Sequence, residues 1–159
     1  MPARLDALVL CDFAQIREGL LFVQSGGLTR LAAAELPASF ACHVATLVYL
    51  PPNEAAEGHR VVMRIKHAPT ATVTATVNVS IHPTTVPAGL APGEGRLVPV
   101  VVPLANVTFR NEGEHDLQVE VDDHLAGDLS FRIVRRTSPA AAPGAAPDVD
   151  PDPPVTPAD

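Results

Sequence analysis

The stretch TVTATVNVSI, residues 72–81, decides how this chain is read, because it alternates without a fault. Val73, Ala75, Val77, Val79 and Ile81 project to one side of an extended strand. Thr72, Thr74, Thr76, Asn78 and Ser80 project to the other. Period-two alternation of this kind marks a β-strand with one face buried. The first face demands a core. The second is polar yet uncharged, and solvent exposure is its plainer reading. The sharper one is a candidate partner-contact face, since Thr, Asn and Ser cost little to desolvate when paired.

Working outward, strand-like segments recur between Gly, Pro, Asn and Asp clusters. ALVLC (7–11) and LLFVQ (20–24) flank a turn around Arg17-Glu18-Gly19. SFACHVATLVYL (39–50) stops at Pro51-Pro52, RVVMRIKH (60–67) at Pro69, and the opening strand at Pro83. A loop over 82–96 leads to RLVPVVVPLANVTF (96–109). DLQVEVD (116–122) and DLSFRIVR (128–135) then form a hairpin around DHLAG. About eight strands with no long helix predict an all-β fold, an antiparallel β-sandwich of immunoglobulin-like or similar Greek-key type. Pro99 and Pro103 remove two backbone donors, so their segment should be an edge or bulged strand.

The charged strands obey the same rule. Val61, Met63 and Ile65 share a face, with Arg60, Arg64 and Lys66 opposite; Leu129, Phe131 and Ile133 go inward, with Ser130 and Arg132 outward. Arg60, Arg64, Lys66 and Arg132 would form a basic patch if their strands share a sheet. A solvated face whose charges discourage edge pairing is the blander account.

Composition bounds the rest. The chain has 159 residues, 47% hydrophobic but only 4% aromatic, with no Trp, so the core must be aliphatic. One domain is expected over residues 1–136. Residues 137–159 hold seven prolines and four of the excess negatives behind the net charge of -7. Such a segment cannot bury enough apolar surface to offset its ordering entropy, so a disordered tail is expected. The body lacks the basic footprint of a nucleic-acid binder, and no apolar run is long enough to cross a membrane as a helix. Without a signal-peptide pattern at the start, the expected compartment is the cytoplasm. Cys11 and Cys42 are then read as buried free thiols. NVS at 78 and NVT at 106 match glycosylation sequons that such a compartment leaves unused.

Little in the sequence points to chemistry. The six histidines and two cysteines show no HxH, HExxH or CxxC spacing, so no metal or cofactor is expected. His43 lies in an apolar strand and reads as a hydrogen-bonded core histidine. Cys42 and His43, adjacent on a strand, point to opposite faces and are ill placed as nucleophile and base. GLAPGEGR lacks the Lys-Ser/Thr end of a phosphate loop. Asp12, Glu18, Asp122 and Asp123 fall at strand ends and turns, where Asp usually bonds its own backbone. No catalytic residue is assigned.

One ambiguity remains open to periodicity. Leu5, Leu8, Val9, Phe13, Ile16 and Leu20 also fit an i, i+3, i+4 stripe, so residues 5–20 could equally be an amphipathic helix. Here a resemblance helps. Cys11-Asp12, the charged turn Arg17-Glu18-Gly19, the apolar run Leu20 to Val23, then Gly26-Gly27 and Arg30 resemble the opening of a bacterial family known only as a domain of unknown function. PLANVTFRNEGEHDLQVEVDDHLAGDLSFRIV resembles its closing strands and final hairpin. The resemblance runs over residues 5–135 and implies a compact β-sandwich with no activity attached.

The expected role is therefore a non-catalytic binding or structural module that presents a sheet face or loops to a protein partner, including another copy of itself. The alternative is a small-molecule or carbohydrate-binding sandwich using the uncharged row 72–80 or the loop 82–96.

Overall fold

A computed structural model describes residues 3–82, 91 and 93–136. The tail 137–159 and most of the 82–96 loop lie outside the described residues. Among the described residues nine strands run in order: β1 (Arg4–Arg17), β2 (Leu20–Gly26), β3 (Arg30–Ala33), β4 (His43–Leu50), β5 (His59–His67), β6 (Thr72–Ile81), β7 (Arg96–Pro103), β8 (Gly113–Val121) and β9 (His124–Arg135). One sheet has the order β2-β1-β4-β7 and the other β3-β9-β8-β5-β6. The domain is an all-β sandwich.

Register explains the interior. Leu10, Val44 and Val102 are cross-strand partners in the first sheet, and Val61, Val119 and Met63 face them from the second. These side chains close over one apolar core, as alternation requires. Thr46, fully buried, remains satisfied because its Oγ1 donates to the Ala7 carbonyl at 2.6 Å. Phe109 seals one end, in ring contact with Phe40, Phe131 and His115.

Four departures from the sequence reading have physical causes. The open choice over residues 5–20 falls to the strand, as the resemblance implied, but β1 outruns the expected 7–11: it is a 14-residue strand whose first half pairs with β4 and whose second half pairs with β2. A short strand, β3, joins β9 in parallel, so the second sheet is mixed. The last hairpin turns at Asp122-Asp123 rather than around DHLAG, and His124 to Gly127 belong to β9. Val73 is half exposed, because the register shifts at Thr74 and sets Val73 opposite Lys66 on the outer face. A bulge flips the phase of every residue beyond it. Val77 and Val79 still pack on the core, and Ile81 is buried. Pro99 and Pro103 do lie on an edge strand, β7.

Candidate functional site

The β1–β2 hairpin carries the least ordinary surface. Glu18 (φ 51°) and Gly19 (φ 76°) make a two-residue turn with both residues left-handed, the type that matches strand twist. Phe13 pairs with Gln24, Gln15 with Phe22 and Arg17 with Leu20, so these six residues share one face of the hairpin. On the opposite face Leu21 packs with Cys11, Ala14 and Ala45, a small cluster outside the main core. That contact lays the hairpin back over the outside of the first sheet.

Among the described residues eight large apolar side chains are exposed, and Phe13, Ile16, Leu20, Phe22 and Val23 of this hairpin are five of them. Phe13 and Phe22 are 45% and 47% exposed and border a shallow cleft of about 260 Å³. The chain has five phenylalanines; three close the core end, and the other two both lie here. Phe13, Leu20 and Phe22 share one face, while Ile16 and Val23 alternate to the other; scattered exposed apolar residues are ordinary, but three on one hairpin face are characteristic of an interaction site.

The uncharged row of β6 is placed at a sheet edge. Thr72, Thr76, Asn78 and Ser80 are exposed and Thr74 is half-buried. Thr74 and Thr76, with Val77, Val102, Asn106 and Thr108, line a groove of about 620 Å³ beside that edge.

The four cations of the expected basic patch do share the outer face of the second sheet, but three are engaged there. Arg60 pairs with Asp123 (3.2 Å), Arg64 with Glu120, and Lys66 donates to Gln118 (2.9 Å). Arg132 lies opposite Glu114 and beside Arg30. The surface is a mixed-charge ladder, and Val62, between Arg60 and Arg64 on this face, is buried.

Sequence reasoning missed a histidine–carboxylate pair at the other end of the sandwich. His59, buried, has Nδ1 at 2.6 Å from Asp122 Oδ2 and Nε2 at 2.9 Å from the Glu54 carbonyl. Asp122 Oδ1 accepts from the Arg60 backbone N–H at 2.9 Å. So Asp122 bonds across strands, not merely to its own turn. Both neighbours of the imidazole are acceptors, an arrangement that favours the doubly protonated ring. Burial alone would pull its pKa down, but the bonds to Asp122 and Glu54 outweigh that and hold it above the ordinary histidine value. Partial burial pushes the Asp122 carboxyl up, yet the Arg60 N–H and His59 leave it below the usual range. A cup of about 470 Å³ opens beside the pair, lined also by Asn53, Glu57 and His124. A general base needs a lone pair turned toward its substrate, and both His59 nitrogens are turned to protein acceptors. The pair is a staple between the 51–58 segment and the final hairpin.

The cysteines do no better as nucleophiles. Burial, then the neighbouring Cys11 and Asp12, raise Cys42 to about 11, and burial with Asp12 raises Cys11. Thiols held protonated are poor nucleophiles. Cys42 packs in the main core while His43 lies half-buried on the outside, its Nδ1 3.1 Å from the Asp12 carbonyl and its ring edge-on to Phe13. Among the described residues no three His, Cys, Asp or Glu side chains converge as a metal site, and no helix is long and apolar enough to cross a membrane.

Fold and surface together define a two-sheet β-sandwich domain with an exposed apolar hairpin. Residues 6–134 match the family described as "Family of unknown function (DUF6941)", and the chain belongs to that family. No curated protein matches the sequence. An immunoglobulin-like protein from Pseudomonas aeruginosa is similar in shape, with 13% identity, 84% of this chain and 98% of that one covered, and a TM-score of 0.43. An alkylpurine DNA glycosylase from Pseudomonas fluorescens, bound to DNA containing an abasic site analog, has 13% identity and a TM-score of 0.43 over 82% of this chain. A β-glucosidase from Listeria innocua, in complex with gluconolactone, has 12% identity and a TM-score of 0.35 over 83% of this chain. This chain spans 30% of the glycosylase and 16% of the glucosidase.

Proposed function

We propose that the chain is a non-catalytic, cytoplasmic protein-binding module whose principal contact surface is the outer face of the β1–β2 hairpin. The observation that carries this reading is the placement of Phe13 and Phe22 diagonally across one hairpin face, half in water, with Leu20 on the same face. Aromatic side chains of this kind anchor interfaces, because they bury large area at little conformational cost. The protonated thiols and the engaged His59 add support on the non-catalytic side.

The test compares the wild-type chain with a Phe13→Ser/Phe22→Ser double variant in cross-linking pull-downs from the native host. A partner retained by the wild type and lost by the folded variant supports the module. Identical partner sets for both would overturn the hairpin as its surface.

The second reading, a sugar or small-molecule binder, draws on the groove lined by Thr74, Thr76, Asn106 and Thr108. A thermal-shift panel of glycans and metabolites decides it: a saturable shift favours the groove, and a flat panel removes it.

A further inference from the structure

The open edge of β6 carries an inference about a surface separate from the hairpin. Its geometry follows from one residue on the neighbouring strand. The Arg60 carbonyl accepts from the Asp122 N–H at 2.9 Å, and the Arg60 N–H donates to Asp122 Oδ1 at 2.9 Å. Arg60 thus turns its backbone groups toward β8. Successive residues of a strand turn theirs to opposite sides. Val61, Met63 and Ile65 therefore bond to β6, where their register partners are Val79, Val77 and Ala75. Thr76, Asn78 and Ser80 are left with N–H and C=O groups aimed away from β5. Among the described residues no strand lies on that side.

An unpaired edge invites another strand, and natural sandwiches usually block theirs. Three of the four edges here are shielded. Pro99 and Pro103 interrupt β7. β3 is only four residues long. β2 is bent at Ser25 (φ 52°) and laid over its own sheet. β6 has ten residues, no proline and no charge.

We infer that β6 pairs antiparallel with β6 of a second copy, joining two five-stranded sheets into one of ten strands. A twofold axis normal to the sheet, near Thr76 to Asn78, sets the Thr/Asn/Ser row against its own copy. It also sets the Val/Ala row against its own copy, so both faces stay continuous. In a chain of net charge -7, two copies can meet along this strand without opposing like charges. The groove beside the edge has a mixed lining, in which Ala75, Val77, Val102 and Val107 offer apolar contact to the incoming valines and Thr74, Thr76, Asn106 and Thr108 polar contact to the incoming Thr/Asn/Ser row. A foreign strand could use the same bonds, but symmetry gives this sequence a match to itself.

Sedimentation equilibrium of the full chain, from about 1 µM to about 500 µM, tests the inference. The wild type is expected to be dimeric at the upper end. Thr76→Pro and Asn78→Pro each remove an outward N–H from both copies and should weaken association by roughly tenfold or more. Circular dichroism confirms that each variant folds; if one does not, the other is read. The Phe13→Ser/Phe22→Ser variant should remain dimeric. A wild type monomeric throughout, a dimer that survives both folded proline variants, or one abolished by the hairpin variant alone would overturn the inference. None of these outcomes bears on whether the hairpin binds a different protein.

Discussion

His59 Nδ1 and Asp122 Oδ2 stand 2.6 Å apart, joining the first residue of β5 to the turn after β8. Because His59 gains a partner, its contribution to stability is complete below the unfolded histidine pKa, about 6.5, and is lost as pH rises through its higher folded value. Asp122 behaves oppositely. Its contribution is present above the unfolded value of about 3.9 and is lost as pH falls through its lower folded value. The staple should therefore be strongest in mildly acidic solution. Urea midpoints between pH 5 and pH 9 should show an alkaline decline in the wild type that is reduced in His59→Gln.

His115 pulls the other way. It is fully buried, Nδ1 donates to the Gly113 carbonyl at 3.2 Å, and Nε2 has no hydrogen-bond partner. Burial and the nearby His67 hold its pKa below the ordinary value despite the Gly113 carbonyl. The folded state thus resists a proton that the unfolded chain takes up below about pH 6.5, which costs stability on acidification. His115→Phe should stack on Phe131 in the same slot and shrink the difference in Tm between pH 7.5 and pH 5.5.

Phe109 bears the core's closure at one end, with no exposed surface and the rings of Phe40, His115 and Phe131 around it. Phe109→Ala should cost about 3–5 kcal/mol, enough to unfold much of a domain this size at 37 °C. Guanidinium unfolding gives the figure directly.

Phe13→Ser and Phe22→Ser should do far less to folding, under about 1 kcal/mol each, since both rings already sit half in water. Binding of a hydrophobic dye to the native protein should nevertheless fall. A large drop in Tm would mean that the hairpin face is structural.

Alternation made most of this fold legible. Val61, Met63 and Ile65 face inward as their spacing requires, and Pro99 and Pro103 announced an edge. What escaped had no local signal. RLAA is too short to show a period, and only β9 gives it a ladder. The Thr74 bulge changes no residue type, so Val73 read as core. Asp122 (φ 49°) and Asp123 (φ 66°) take left-handed conformations without the glycine that usually advertises such a turn. The exposed hairpin face was hidden by a sequence that reads as ordinary strand, and the His59–Asp122 pair joins residues 63 apart.

The parallel union of β3 with β9 has a consequence for synthesis. Arg30 meets Arg132, so a segment made early must wait for nearly the last strand before its ladder exists. Until β9 emerges it cannot shelter Leu31, and the nascent chain carries an unfinished flank. Closing so wide a loop is slow. The final hairpin, β8–β9, is therefore the step that locks the domain, and a chain stalled before it should be bound by chaperones and cut by proteases far more readily than the finished protein.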